Sequence, residues 1–159
     1  MSIIHRPMRH GDREAVIGLL MQLAAHEAAL SPTRASGPAT AQALLEADSA
    51  QTRDRAGAQF VAELAGTCIG YLALRLGHTG PYVHDDLRDH VLIENIVVDA
   101  GRRGTGVGQM LLAQAERFAR DNGCKALQLG VLTGNDPALT AYRRAGFESL
   151  SIEMIKRLD

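Results

Sequence analysis

Cysteine is scarce in this chain. Its two residues, Cys68 and Cys124, lie far apart and in apolar surroundings. They read as buried free thiols of a reducing compartment, with a bridge between them as the other possibility. There is no leading apolar segment of secretory type and no run approaching a membrane span. The default expectation is therefore a cytoplasmic protein with no membrane partner. An excess of charge is also missing: 17 Lys and Arg face 18 Asp and Glu, for a net charge of -1. No basic block of the kind that follows a phosphate backbone appears, so nucleic acid is not an expected partner. The histidines His78, His84 and His90, with Asp85, Asp86 and Asp89 among them, do not have the spacing of a tight zinc site, and the stretch holds no Cys. No metal is expected. What is present is an ordinary hydrophobic fraction in 159 residues, a length that suits one domain, 1–159, with a proper core.

The stretch Val91 to Arg120 organises the rest. Val91 to Val98 is rich in Val and Ile and reads as a buried strand. Asp99 and Ala100 end it, and a run that is both basic and glycine-rich follows: Gly101, Arg102, Arg103, Gly104, Thr105, Gly106, Val107, Gly108. Val107, Leu111, Ala115 and Phe118 then recur at three and four, the spacing of an apolar helix face. Strand, glycine turn and helix together expose several backbone N–H groups at a helix N-terminus, where the partial charge is positive. Glycines let a bulky anion approach that backbone closely. The stretch reads as a phosphate or pyrophosphate cradle, against the plainer reading of a flexible loop before a surface helix.

Which cradle it is depends on spacing. Gly104, Gly106 and Gly108 approach a dinucleotide fingerprint but miss it by one position. The next strand candidate, Lys125 to Val131, also lacks the acidic residue that such a site needs. A P-loop needs Gly-Lys followed by Ser or Thr, which is absent. Arg103-Gly104-Thr105-Gly106-Val107-Gly108 closely resembles the acyl-coenzyme A loop of the GNAT family of N-acetyltransferases, whose pattern is Gln or Arg, two residues, Gly, one residue, then Gly or Ala. Arg103, Gly106 and Gly108 fit it. Thr133 to Phe147 resembles the second signature of that family through Asn135, Ala138, Tyr142, Gly146 and Phe147. The resemblance covers nearly the whole chain. It is specific in Glu94 to Leu112 and in Asn135 to Phe147, and topological elsewhere.

Glu94 needs an account of its own. A carboxylate amid Val91, Leu92, Ile93, Ile96, Val97 and Val98 is costly if buried without a partner, and period two places it on one face with Leu92 and Ile96. A partly desolvated Glu is suited to taking the proton of an amine before acylation. The alternative is a structural Glu bonded to sheet backbone or to an Arg. The resemblance favours a base, because many family members carry Ile-Glu-Asn or Ile-Glu-Asp about nine residues before the loop Arg, as Ile93-Glu94-Asn95 and Arg103 do here. It further implies acetyl-coenzyme A as cosubstrate, held by the backbone of Ile96, Val97 and Val98 and by the loop Arg103, Gly104, Thr105, Gly106, Val107 and Gly108. Asn135 is then expected to bond the coenzyme arm, and Tyr142 to lie near the sulfur as general acid. For Tyr142 the plainer reading is a core ring with its hydroxyl satisfied.

Elsewhere the pattern gives expectations in outline. Ser2 to Arg9 is a strand candidate, and Asp12 is placed to cap a helix over Arg13 to Leu30 that ends with His26 and Glu27. A short helix is expected over Ala39 to Ala47, then a loose polar stretch, Asp48 to Gly57. Strands at Gln59 to Glu63 and Thr67 to Leu76 flank a turn at Leu64-Ala65-Gly66. In the second of them Cys68, Gly70, Leu72 and Leu74 are expected on one face, with Gly70 marking a close approach or a bulge. Gly77 to His90 reads as a long irregular loop, either simply solvated or offering its Asp residues to a cationic amine at the acceptor mouth. The chain should close with a strand at Leu150 to Leu158 beside Lys125 to Val131. The expected fold class is α/β: a mixed, mostly antiparallel central sheet with helices on both faces, like the acyl-coenzyme A N-acyltransferases. The expected function is acetyl transfer from acetyl-coenzyme A to a primary amine acceptor by direct attack, with a cationic small molecule slightly favoured. Two other readings remain: a module of this fold that binds acyl-coenzyme A without turnover, and a nucleotide-binding regulator. The resemblance also implies a homodimer.

Overall fold

The computed structural model describes residues 2–159. Five strands form one sheet in sequence order: β1 (Ile4–Pro7), β2 (Ala58–Leu64), β3 (Thr67–His78), β4 (Asp89–Val98) and β5 (Ala126–Leu129). The first four strands pair antiparallel, and β4 pairs parallel with β5. A parallel neighbour requires a crossover, and α4 (Val107–Asp121) supplies it. Two further helices, α1 (Arg13–Leu30) and α2 (Pro38–Asp54), precede β2; a single turn, α3 (Asp85–Arg88), precedes β4; and α5 (Asp136–Arg144) follows β5. The sheet is thus mixed and mostly antiparallel, as the pattern of elements indicates. No helix among the described residues is long and apolar enough to cross a membrane.

Two apolar layers sandwich the sheet. Val16, Leu19 and Leu20 of α1 with Ala41 and Leu45 of α2 pack on Val61, Tyr71, Ala73 and Val97. On the other face Val107, Leu111 and Ala115 of α4 pack on Leu72, Leu74, Val91 and Ile93, and Tyr142 and Phe147 lie against the same layer. Gly70 is small because α4 is close: a Cβ there would sit 3.0 Å from Val107 Cγ1 and 3.1 Å from Leu111 Cδ1. The neighbour that Gly70 admits is therefore the cradle helix itself. The β2–β3 hairpin closes through Ala65 and Gly66, both at positive φ. That handedness matches the twist of the strands it joins.

Strict alternation fails at two bulges. Between β2 and β3 the register slips at Ala62/Glu63, where Gly70 pairs with Ala62 but Cys68 with Glu63. Ile69 therefore joins the α4 layer beside Leu72, while Cys68 turns to the α1 and α2 layer. Cys68 thus does not share a face with Leu72 and Leu74. Between β3 and β4 the slip falls at Glu94: Ala73 pairs with Asn95 and Leu74 with Ile93. Val91 and Ile93 belong to the α4 layer before the bulge, and Ile96 and Val98 lie against it afterwards. The extra residue reverses the parity of the strand, so Ile96 is not part of a simple Leu92–Glu94–Ile96 row.

Four other expectations need correction. Asp12 precedes α1 but makes no side-chain cap. Its carboxylate takes both Arg6 guanidinium nitrogens at 2.7 and 2.9 Å and the Arg9 N–H at 2.7 Å, and the Arg6 charge holds it well below the usual carboxylate range. The second helix runs through Asp48 to Asp54 where a loose stretch was expected, because Ala41, Leu45 and Asp48 form one continuous buried face. Most of the expected loop from Gly77 to His90 is strand and turn, since Gly77 and His78 still pair with His90 and Asp89. The closing strand at Leu150 to Leu158 is absent: residues 148–159 hold no strand pairing and every one of them is exposed.

Candidate active site

The glycine turn is anchored before it opens. The Asp99 carboxylate accepts from the Gly101 N–H at 3.0 Å and from Gln22 Nε2 at 2.9 Å, and Gln22 Oε1 accepts from the Ala100 N–H at 2.9 Å. The Asp99 N–H donates to the Ile69 carbonyl at 2.8 Å. Gln22 lies on α1, 77 positions away from Asp99, and nothing in its local sequence marks it for this task. Beyond the anchor, Gly104 and Gly106 take φ of +75° and +89°. Gly106 is the left-handed residue that starts α4. The first intrahelical bond runs from the Met110 N–H to the Gly106 carbonyl at 3.0 Å, so the N–H groups of Val107, Gly108 and Gln109 have no helical acceptor. Arg102, Arg103, Gly104 and Thr105 are exposed around them, while Val107 is buried as the foot of the helix. Space remains above the turn: a Cβ at Gly106 would meet nothing within 4 Å, and one at Gly108 only Val98 Cγ2 at 3.8 Å.

The sheet opens next to this cradle. β4 and β5 pair from His90↔Ala126 to Ile93↔Leu129 and no further. Glu94 is the first residue past the last pair, so the β5-side backbone edge from there through Ile96, Val97 and Val98 has no strand beside it. Backbone amides along a free edge need polar partners, so this edge can receive a ligand that carries amides of its own.

At the mouth of the gap Glu94 is half-buried and forms a salt bridge with the Arg75 side chain of β3. The carboxylate therefore has a partner within the sheet. On the α5 side, Tyr142 is half-buried against Phe147, with ring centroids 5.8 Å apart and the planes at 63°. Burial first, and the nearby Glu27 charge second, raise the Tyr142 hydroxyl above its ordinary pKa, so it stays protonated at neutral pH. Asn135 starts α5 without capping it by its side chain; its Oδ1 stands 3.4 Å from His26 Nε2. The end of α1 and the second signature thus meet, bringing His26 to Asn135 and Glu27 near Tyr142.

One buried cluster escaped the sequence reading. Asp48 of α2, 4% exposed, accepts from the Tyr71 hydroxyl at 2.9 Å and from Asn95 Nδ2 at 2.9 and 3.0 Å. Gln59 Nε2 donates to the Tyr71 oxygen at 3.0 Å. Burial pushes the Asp48 carboxyl up to about 6, opposed by the bonds from Asn95 and Tyr71 and aided by the Glu94 charge. The cluster fixes α2 to β4 at the residue next to Glu94. An acid in a presumed loop gave no signal; the Ala41, Leu45, Asp48 spacing was the clue. By contrast the acidic residues from Asp85 to Asp89 stay apart from the Glu94 gap. Asp85 pairs with Arg88 at 2.7 Å, Asp89 with His78 at 2.7 Å, and Asp86 with Lys125 at 3.9 Å. Asp89 begins β4, five residues and roughly 16 Å of strand before Glu94.

A mixed sheet that splays beside a glycine cradle at a helix N-terminus is the fold of the acyl-coenzyme A N-acyltransferases. The chain belongs to the acetyltransferase (GNAT) family, whose model matches residues 23–147. It is 35% identical over 92 residues to the N-alpha-acetyltransferase RimI of Mycobacterium tuberculosis, covering 57% of this chain and 52% of that protein. It is 49% identical over 55 residues to streptothricin acetyltransferase of Streptomyces lavendulae, covering 35% of this chain and 29% of that protein. These alignments span about half or less of the relatives' length. Among solved structures, an aminoglycoside N-acetyltransferase in complex with coenzyme A superposes with a TM-score of 0.75 at 23% identity, over 99% of this chain and 95% of that one, a likeness of fold.

Proposed function

We propose that this chain transfers an acetyl group from acetyl-coenzyme A to an amine. The observation that carries the proposal is the free edge of β4 from Glu94 to Val98, which ends at the left-handed glycine turn of α4. Relatives named as acetyltransferases support the reaction class. In this reading the coenzyme's pyrophosphate lies on the N–H groups of Val107, Gly108 and Gln109, with Arg103 beside it, and the arm runs along Ile96, Val97 and Val98. Asn135 holds the arm from the other side.

The amine nitrogen attacks the thioester carbonyl carbon and loses a proton to Glu94. A backbone N–H at the exposed end of β4 stabilises the oxyanion. The carbon–sulfur bond then breaks, and Tyr142 gives its proton to the leaving thiolate. Solvent restores the tyrosine proton. Neither thiol is suited to a covalent step: burial pushes Cys68 up to about 11, with the Asp12 charge adding to it, and burial raises Cys124. The acceptor proposed is a cationic amine of small size, drawn by Glu27 and Glu94 on the two sides of the gap. The pairing of Glu94 with Arg75 favours the second reading, a module that binds acyl-coenzyme A without turnover, because a base must first leave its partner. Thiol release from acetyl-coenzyme A, screened across polyamines, aminoglycosides, peptide N-termini and lysine peptides, decides between them. Amine-dependent release supports the enzyme; tight coenzyme binding with no release for any amine supports the module. Competition of coenzyme A by nucleotides points to the nucleotide-binding regulator instead.

A further inference from the structure

Two arginines of the sheet, Arg6 of β1 and Arg75 of β3, hold carboxylates, and they are used to different extents. The Arg6 guanidinium is fully engaged. Its Nη1 and Nη2 donate to the two Asp12 oxygens at 2.7 and 2.9 Å, and its Nε donates to Glu63 at 2.8 Å. One carboxylate thus lies end-on across the fork and a second lies beside it at Nε, which the planar group allows. Arg75 repeats half of this arrangement. Its Nε donates to Glu94, in the position that Glu63 takes on Arg6. Its Nη1 meets only the neutral Leu76 carbonyl, at 3.2 Å, the long end of hydrogen-bonding range. Among the described residues Nη2 has no partner, while no buried side-chain nitrogen or oxygen lacks one, so Nη2 lies where a solute can reach it. The Arg75 side chain is 21% exposed. Arg75 and Glu94 together carry no net charge. What they offer is a cation with open donors and an anion side by side.

We infer that Arg75 selects an acceptor whose amine has a carboxylate on the same carbon, an α-amino acid, by taking that carboxylate across Nη1 and Nη2 while the amine faces Glu94. The inference rests on the acetyl-transfer reading and narrows its acceptor: still a small amine that arrives as a cation, now with an anion beside it. Two adjacent groups of opposite charge on one molecule match two adjacent groups on the protein. The fork favours a carboxylate, whose two oxygens take two parallel N–H groups, and displacing one long bond to a neutral carbonyl costs little. Binding also prepares the base. The incoming anion shares the guanidinium and stands near Glu94, and both effects raise the proton affinity of the Glu94 carboxylate. A carboxylate paired with Arg75 before the acceptor arrives is thus made basic by the acceptor itself, which removes the obstacle that the salt bridge poses to catalysis. The reaction is the one proposed above. The C–N bond forms, the C–S bond breaks, one ammonium proton goes to Glu94 and a second to solvent, and the thiolate takes its proton from Tyr142. The products are an N-acetylamino acid and coenzyme A.

Thiol release from acetyl-coenzyme A by the full chain tests the inference with matched acceptors. Each of the common amino acids is offered in three forms: the free acid, its amide and its decarboxylated amine. The expected result is that the best acceptor is a free acid, with kcat/KM above that of its amide and its amine by roughly 10- to 100-fold, the worth of a charge-assisted contact. Arg75→Gln should bring the three forms to parity, with coenzyme A affinity by calorimetry and circular dichroism unchanged. Arg75→Lys keeps the charge without the fork and should retain only a small part of the preference; it decides the matter if Arg75→Gln does not fold. Equal release with acid, amide and amine overturns the inference and leaves acetyl transfer standing. So does a preference that survives undiminished in either variant, which would put the carboxylate on another cation. No release with any amine, despite tight coenzyme binding, overturns the acetyl-transfer reading and this inference with it.

Discussion

Gly106 and Gly108 stand two positions apart in the same turn, and the structure gives them opposite tolerances. Gly106 holds φ +89° and ψ -1°, a region where a Cβ is strained although the space around it is open. An L-residue there costs about 1–2 kcal/mol. For a chain of this length each kcal/mol moves Tm by roughly 2–4 °C, so Gly106→Ala should melt roughly 2–8 °C lower. Gly108 is inside the first turn of α4 with ordinary helical φ, and its Cβ would touch only Val98 Cγ2 at 3.8 Å. Removing backbone freedom there should stabilise the helix by up to about 1 kcal/mol and raise Tm by up to roughly 4 °C. Ligand binding should separate the pair in the same direction. Relaxing the left-handed turn re-aims the N–H groups of Val107, Gly108 and Gln109, and the loss of one charge-assisted bond is worth about 1.5–3 kcal/mol. Gly106→Ala should therefore weaken coenzyme A by about tenfold or more, while Gly108→Ala stays within about threefold. Differential scanning fluorimetry without ligand and calorimetry with coenzyme A measure both effects. If Gly106→Ala binds coenzyme A like the parent with its fold intact, the anion is not held by this turn. If Gly108→Ala loses as much affinity as Gly106→Ala, the ligand approaches from a side the free space does not indicate.

Glu94→Gln should lower turnover by roughly 10²- to 10⁴-fold near neutral pH and regain part of it at high pH, where more free amine is present; full turnover with an unchanged acidic limb would leave Glu94 a purely structural partner of Arg75. Tyr142→Phe should reduce turnover without abolishing coenzyme binding, and high pH should not rescue it; rescue by high pH would move the lost proton step from the thiolate to the amine. Asp48→Asn should flatten the pH dependence of stability. In the unfolded chain Asp48 gives up its proton near about 4, in the folded chain at about 6, so between those values the folded state holds the extra proton and wild-type stability declines as pH rises, by on the order of 3 kcal/mol. Urea titrations of both proteins at the two ends of that window check this, and an equal slope for both would mean that Asp48 is ionised in the folded state throughout. Asp12→Asn should act in the other direction: the carboxyl held low by Arg6 stabilises above about pH 4 and loses that effect as pH falls, so the variant should be less stable than wild type at neutral pH and converge with it in acid.

Local patterns were legible wherever one residue periodicity held without interruption. The helix from Arg13 to Leu30 and the sequence of strand, glycine turn and helix through Val91 to Arg120 lie where the apolar spacing puts them. The glycine turn was legible because glycine is the residue that takes the left-handed conformation at a helix start without strain. Face assignments failed at Ile69 and Glu94 for one reason: a bulge adds a residue without altering composition, and only the partner strand's register exposes it. Arg75 as the partner of Glu94, Gln22 as the anchor of Asp99, and Tyr71 with Asn95 around Asp48 are all long-range pairs. A single sequence carries no signal for which distant polar groups will meet. The Leu150 to Leu158 stretch shows the converse limit. Its alternation is imperfect, and a strand needs a partner edge as well as a pattern: residues 148–159 pair with none.

The bulge at Glu94 links the core to the chemistry proposed for the site. Without it, β4 would keep one parity, and the α4 layer would lose either Val91 and Ile93 or Ile96 and Val98. With it, the strand serves that layer along its whole length, and the slip falls where β5 stops pairing. A residue left unpaired in the register on one side and free of a strand on the other is held mainly by its side chain, which accounts for the Arg75 bridge. The next residue, Asn95, is pinned from the opposite layer by Asp48. These two contacts set where the Glu94 carboxylate stands relative to the gap. Loosening either should reposition that group before it disturbs the cradle, whose anchors are Gln22, Asp99 and Ile69. Coenzyme affinity and turnover are thus expected to separate: changes at Asp48 or Arg75 act on turnover, and changes at Gly106 or Gln22 act on affinity.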